Sequence, residues 1–294
     1  MEKIKEIVIV SGKGGTGKTS FAASLALLFK GKVMVDCDVD AANLHLILNP
    51  EKLIRQSPFP GGKKADIYSE RCTKCGVCVE ACRFEAISSD FVVDTVLCEG
   101  CGACYVLCPA NAVNFTEHTG GHWYVTDTGN NERFVYAEML PGEDNSGKLV
   151  AAVRNEARIE AESTGSSLIA IDGPPGIGCP VISSVTGTKL VIVVTEPTPS
   201  GMHDLERVIA LSAHFRIKTA VVVNKSDISL SWLNAIKEYC SANNHYFLGE
   251  IPYELSITEA QRAGKAIIDY KPECEASKAI KGIFERLQLM LENI

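Results

Sequence analysis

Eight of the twelve cysteines in this 294-residue chain fall in two matched runs. The first is Cys72-x-x-Cys75-x-x-Cys78-x-x-x-Cys82 and the second is Cys98-x-x-Cys101-x-x-Cys104-x-x-x-Cys108-Pro109. The flanks repeat too: Arg83-Phe84-Glu85-Ala86-Ile87 parallels Pro109-Ala110-Asn111-Ala112-Val113 at a period of 26 residues. An internal duplication folded about a pseudo-two-fold axis fits this pattern. From about Lys64 to Phe115 there is little apolar material for a core, so ligation must supply the folding energy. Met1 to Glu6 runs straight into an expected strand, so no secretory leader is expected, and no apolar stretch approaches membrane length. We therefore expect reduced thiols in a cytoplasmic protein, with no membrane anchor, and read the cysteines as metal ligands.

In such runs three thiolates surround one iron–sulfur cubane and the fourth comes from the other run. Cys72, Cys75, Cys78 and Cys108 are thus expected to hold one [4Fe–4S] cluster, and Cys98, Cys101, Cys104 and Cys82 the second. The spacing resembles that of bacterial two-cluster ferredoxins, although Cys82 is followed by Arg83 where proline is usual. Zinc sites use two separated cysteine pairs, which argues against zinc here. Gly76, Gly100 and Gly102 let backbone N–H groups approach the sulfurs, a contact that tunes potential. Low-potential electron transfer is the default role of all-thiolate ligation.

The remainder alternates strands and helices. Ile7 to Val10 is a continuous apolar run, and helix is expected from Ser20 to Lys30 and strand from Lys32 to Asp36. Further strands are expected at Leu168 to Asp172, Leu190 to Val194, Ala220 to Asn224 and Tyr246 to Ile251. Helices are expected over Gly201 to His214, Leu230 to Ala242, Ser256 to Ala263 and Glu275 to Leu291. Ser57-Pro58-Phe59-Pro60-Gly61-Gly62 reads as a linker, and His118 to Pro141 as an antiparallel hairpin. The expected fold is α/β, a doubly wound, mostly parallel sheet with a small α+β ferredoxin-like insertion. Its expected parts are residues 1–62, the insertion 63–116, and 117–294.

Between the first strand and helix lies Gly12-Lys13-Gly14-Gly15-Thr16-Gly17-Lys18-Thr19. It matches both the dinucleotide fingerprint, with Asp36 ending the next strand, and the phosphate loop. The phosphate loop is the better reading, since Lys18 supplies a cation for β- and γ-oxygens and Thr19 a hydroxyl for Mg²⁺, neither of which a dinucleotide needs.

The extra lysine, Lys13, makes the loop resemble the deviant Walker A motif of the family of MinD, ParA and the nitrogenase iron protein. That resemblance implies ATP with Mg²⁺, a nucleotide-dependent homodimer, and Lys13 reaching the partner subunit's phosphates as an arginine finger does. In Asp36-Cys37-Asp38-Val39-Asp40 it implies that Asp38 orients the attacking water and that Asp36 acts through Mg²⁺-bound water. In Asp172-Gly173-Pro174-Pro175-Gly176 it implies that Asp172 holds the Mg²⁺ shell. Asn224 would contact the base. Asn224-Lys225-Ser226-Asp227 also satisfies the guanine-reading pattern, so GTP stays open beside ATP. The likeness extends through Ser146-Gly147-Lys148-Leu149-Val150, and narrows to members carrying an inserted ferredoxin domain.

Four cysteines lie outside the runs. Cys240 and Cys274 are expected to pack as small apolar residues, and Cys37 to be buried between two acids. Cys179 follows the switch segment, where the nitrogenase iron protein has a ligand to a cluster shared between subunits. No second ligand is evident here, so a structural thiol is the alternative. Net charge is −7 and no run of five basic residues occurs, which argues against nucleic acid as a partner. Two functions are expected: an ATPase coupling nucleotide state to electron transfer with a partner protein, or an ATPase that assembles or delivers iron–sulfur clusters or another metallocofactor. A purely positional ATPase would need no cysteine runs.

Overall fold

The computed structural model describes residues 4–129, 132–143 and 147–294; Met1 to Lys3, two residues of the expected hairpin and Asp144 to Ser146 lie outside them. In chain order the elements are β1 (Lys5–Ser11), α1 (Lys18–Leu28), β2 (Lys32–Asp36), α2 (Leu44–Leu48), β3 (Lys52–Ile67), α3 (Val77–Ala81), α4 (Ala103–Leu107), β4 (Val113–Asp127), β5 (Arg133–Met139) and α5 (Lys148–Thr164). They continue with β6 (Leu168–Pro175), α6 (Cys179–Val185), β7 (Leu190–Thr195), α7 (Pro199–His214), β8 (Lys218–Asn224), α8 (Leu230–Ala242), β9 (Tyr246–Ile251), α9 (Ser256–Arg262), α10 (Ile267–Tyr270) and α11 (Glu275–Glu292). The chain divides into two compact units, residues 1–55, 124–137 and 146–294, and residues 56–123 and 138–145.

In the first unit β1 runs parallel between β6 and β7, β2 lies beside β6, and β8 and β9 extend the sheet beyond β7, all in parallel. Ile7, Val8, Ile9 and Val10 are fully buried, as strands covered on both faces require. Phe21 and Leu25 of α1 join the same core as Ile192 of β7. Ile280, Ile283, Leu287 and Leu291 recur at helical spacing on α11 and all are buried there. That helix is a core element, and among the described residues no helix is long and apolar enough to cross a membrane.

The sheet order is β3-β4-β5-β2-β6-β1-β7-β8-β9. Here the linker expected at 57–62 is corrected, because those residues lie within the 16-residue strand β3. Proline is tolerated on an edge strand where its missing N–H faces outward. Pro58 and Pro60 are two apart, so both missing donors fall on the same side of the edge strand. β4 and β5 are adjacent as expected of a hairpin, joined by a connection too short for a parallel crossover. Helix α5 went unread in the sequence, although Leu149, Val150, Val153, Ala157 and Ala161 form its buried stripe. Its alanines and charged residues mute the apolar signal.

In the second unit the duplication extends to the backbone. Helices α3 and α4 have five residues each and occupy equivalent positions in the repeat. Positive φ recurs in matched pairs: Lys74 (56°) with Gly100 (63°), Gly76 (82°) with Gly102 (74°), and Glu85 (53°) with Asn111 (49°). The Asp94 N–H donates to Ala86 O at 2.7 Å, and its repeat mate, the Tyr68 N–H, donates to Ala112 O at 2.8 Å. The small core is built from Ala65, Ala86, Ile87 and Val113 together with Cys78, Cys98 and Cys104.

Candidate functional site

Asp36 ends β2, and its register partner Asp172, expected to end its strand, lies within β6 three residues before Pro175. β1 flanks β6 on the other side and leads into the glycine loop. In open parallel sheets this end carries the ligand crevice. A cavity of about 720 Å³ opens there, lined by Gly14, Gly15, Thr16, Gly17, Lys18, Thr19, Asp38 and Asn224. Its size suits a small-molecule site.

Lys18, the first residue of α1, has its side chain 6 % exposed. Its Nζ lies 2.6 Å from Asp172 Oδ1 and 3.5 Å from Asp38 Oδ2. Burial opposes the charge, but Asp172 and Asp38 outweigh it and hold the ammonium above its usual pKa. Burial pushes the Asp38 carboxyl up. Asp36 is pushed up to about 7, by burial first and by the Asp172 charge second. Asp36 does not line the cavity. Its carboxylate accepts the N–H groups of Asp38 (2.9 Å), Asn43 (3.2 Å) and Leu44 (3.1 Å), and so shapes the turn that presents Asp38. Among the described residues Asp172 Oδ2 and Thr16 Oγ1 are buried without a hydrogen-bond partner. Such groups call for a partner, and a hydrated cation and a phosphate oxygen would provide it.

Asn224 Nδ2 donates to Thr16 O at 2.7 Å, tying β8 to the loop. Gly17 has φ 88°, and a Cβ there would lie 2.2 Å from that Nδ2. Gly17→Ala is therefore expected to weaken ligand binding at the loop by about 1–3 kcal/mol through strain, read by calorimetric titration. Gly12 lies outside the cavity lining and faces Asp204 Cβ, 2.2 Å from where its own Cβ would be.

Lys13 Nζ lies 3.2 Å from Glu196 Oε2 and 3.1 Å from Ser200 Oγ. Lys225 pairs with the other oxygen of Glu196 and donates to Gly15 O at 3.2 Å. Burial opposes the Glu196 charge, but Lys225 and Lys13 outweigh it and hold the carboxyl below its usual range. Glu196 was missed in the sequence; the available signal was an acid directly after a buried strand. Cys179 opens α6 and is exposed, between the cavity-lining residues Gly178 and Pro180. Cys37 is fully buried and its thiol is raised, while burial pushes Cys240 up to about 11. Cys274 is buried, and its Sγ accepts the Ser277 N–H at 3.4 Å to cap α11.

The second unit holds two smaller cavities. One is lined by Cys72, Cys75, Cys78 and Cys108. The other is lined by Cys98, Cys101, Cys104 and Cys82. Each cavity draws three cysteines from one run and the last from the other. The repeat-related N–H groups of Ala86 and Ala112 donate to Cys82 Sγ (3.4 Å) and Cys108 Sγ (3.3 Å). Burial opposes the Cys108 thiolate, but several backbone N–H groups led by Ala112 turn towards the sulfur and together hold its pKa below the usual thiol range. Among the described residues no three His, Cys, Asp or Glu side chains approach closely enough to hold a single metal ion. A cubane, with one thiolate at each iron corner, takes a wider cage than one zinc.

The sequence profile of the CobQ/CobB/MinD/ParA nucleotide binding domain matches residues 7–267. An uncharacterized protein of Methanocaldococcus jannaschii is 32 % identical, with 97 % of each chain covered. The septum site-determining protein MinD of Synechocystis is 23 % identical, covering 96 % of this chain and 88 % of its own. The MinD of Pyrococcus horikoshii complexed with Mg-ADP shares the fold at TM-score 0.59 and 19 % identity, with 97 % and 96 % covered. An ATP complex of Cyanothece McdA does so at TM-score 0.60 and 18 % identity, with 98 % of each chain covered.

Proposed function

The chain belongs to the CobQ/CobB/MinD/ParA nucleotide-binding family, whose MinD/ParA branch consists of ATPases, and on that premise we propose a Mg²⁺-dependent ATPase that couples its nucleotide state to electron transfer with a partner protein. The residues 63–116 serve in this reading as the inserted electron-carrying domain, and the flanking segments as the ATPase. The observation that carries the redox half is the pair of crossed four-cysteine cavities with matched N–H···S contacts. Bound [4Fe–4S] clusters would supply low-potential one-electron transfer. The protein's part is to fix ligand spacing and aim backbone N–H groups at sulfur.

At the ATPase site hydrolysis breaks the bond between the γ-phosphorus and the bridging oxygen and adds water at phosphorus, giving ADP and phosphate. Lys18 would leave Asp172 to neutralise the β- and γ-oxygens, and Asp172 would help hold a bound Mg²⁺, which would supply positive charge against the phosphates. The Thr19 hydroxyl would be a further ligand of that metal. Asp38, held at the cavity by the Asp36 turn, orients the attacking water. Lys13 leaves Glu196 and Ser200 when a second copy closes over the loop, adding positive charge where the transition state needs it. Asn224 borders the base.

Exposed Cys179 beside the cavity favours one alternative, delivery of an iron–sulfur or other metallocofactor. Oxygen-free purification followed by iron analysis and EPR, with ATP and then ADP, tests the proposal. We expect about eight irons per chain and a spectrum or potential that changes with nucleotide. Iron absent throughout sinks the redox half, and identical spectra in both nucleotides sink the coupling. Transfer of iron and sulfide to an apo-acceptor would favour delivery.

A further inference from the structure

Asp38 reaches the cavity on a turn that lies beyond the end of β2. Four residues of this turn, Asp38, Asp40, Ala41 and Asn43, line the cavity. The Ala41 N–H donates to Asp38 O at 3.0 Å, and Asp36 anchors both ends of the turn through the N–H groups of Asp38, Asn43 and Leu44. The chain then enters α2, a helix of five residues whose N-cap Asn43 gives it no side-chain hydrogen bond. A helix that short does not persist on its own. Whatever fixes α2 from outside therefore fixes the far end of the Asp38 turn.

Two neighbouring side chains of α2 do so. Leu44 is fully buried in the core of the first unit. His45 lies with its ring against Tyr136, at 5.1 Å between centroids and 11° between planes. Tyr136 stands on β5 one step past Val135, the register partner of Val35, and is thus level with Asp36. Two further rings lie nearly parallel to it: Tyr124 of β4 at 4.8 Å and 17°, and Phe134 at 5.0 Å and 15°. Phe134 is fully buried, so the stack is seated on the core. Ring pairs hold preferred mutual orientations, which aliphatic chains of like volume do not impose.

We infer that His45 and Tyr136 are positioning residues: their stack, backed by Tyr124, sets α2, and α2 sets the place of Asp38 at the cavity. The inference rests on the reading of Asp38 as the residue that orients the attacking water, and names the side chains that hold it there.

The test uses the full-length protein and three readouts: ATP turnover by phosphate release, ATP affinity by calorimetric titration, and amide exchange without nucleotide. Tyr136→Leu and His45→Leu should each lower kcat about ten- to a hundredfold, since catalysis is steep in the placement of a positioned group. ATP affinity should stay within about threefold of wild type, because the glycine loop holds the phosphates. Tyr136→Phe and His45→Phe keep a ring and should hold kcat within about threefold of wild type. Exchange at the Asn43 and Leu44 N–H groups should quicken about tenfold in the Leu variants, with β1 unchanged. Wild-type kcat or wild-type exchange in the Leu variants overturns the inference. So does a Tyr136→Phe protein as impaired as Tyr136→Leu, which would assign the effect to the hydroxyl. Equal losses of affinity and turnover, or exchange quickened throughout the first unit, show a general packing role and overturn it too. Undiminished turnover in Asp38→Asn overturns the reading of Asp38 instead, and exchange alone then judges the stack.

Discussion

Alanine at Cys82 is expected to remove the same cluster that alanine at Cys101 removes, taking iron from about eight to about four atoms per chain. Combining Cys82→Ala with Cys101→Ala should cost no further iron, whereas Cys82→Ala with Cys108→Ala should remove nearly all of it. The argument is geometric. Cys82 lies 16 residues from the nearest cysteine of the second run, yet it lines the cavity of Cys98, Cys101 and Cys104. If each run ligated its own metal, Cys82→Ala would instead be non-additive with Cys75→Ala, and that result would end the crossed assignment. Helices α3 and α4 are five residues long, too short to persist without tertiary support. Amide exchange confined to the second unit should accelerate in the doubly depleted variant, because ligation supplies its folding energy.

Lys18→Met is expected to lower ATP turnover by about a hundred- to a thousandfold, the usual effect of removing a charge-stabilising donor from a phosphoryl or oxyanion site. The substitution also carries a stability effect of opposite use. In the resting protein it strands the fully buried Asp172, and breaking one side of a buried pair costs about 3–5 kcal/mol. Adding Asp172→Asn removes the stranded charge, so the double variant should regain most of the lost melting temperature while remaining inactive. Recovery of turnover in the double variant would show that Lys18 acts only as a structural counter-ion. The resting pair also means that Mg²⁺ and phosphate must separate Lys18 from Asp172 on binding, which sets part of the ligand's binding energy aside.

Much of the first unit was legible in the sequence. Ile7 to Val10 and Leu190 to Val194 are apolar runs whose burial follows from composition alone, and the glycine loop carries its own chemistry. Tyr246 to Ile251 and Leu230 to Ala242 kept their expected bounds. Failures arose where meaning is set by distant partners. Pro58 and Pro60 suggest a break until the strand is known to be an edge. Asp36 and Asp38 look alike in sequence, and only the turn at 38–44 sends one to the backbone and the other to the cavity. Glu196 directly follows a buried strand, but its role is set by Lys13 and Lys225, which are remote in sequence. Asp227 closes a base-reading motif in sequence, yet its Oδ1 accepts the Tyr253 N–H of another strand's loop.

The two prolines of β3 have a bearing on self-association. An open strand edge offers a template for pairing with another chain, the route to swapped dimers and amyloid. Pro58 and Pro60 are both exposed and both withhold a donor from the same side of the outermost strand. At Pro58 and Pro60 the strand has no N–H to give to an added strand.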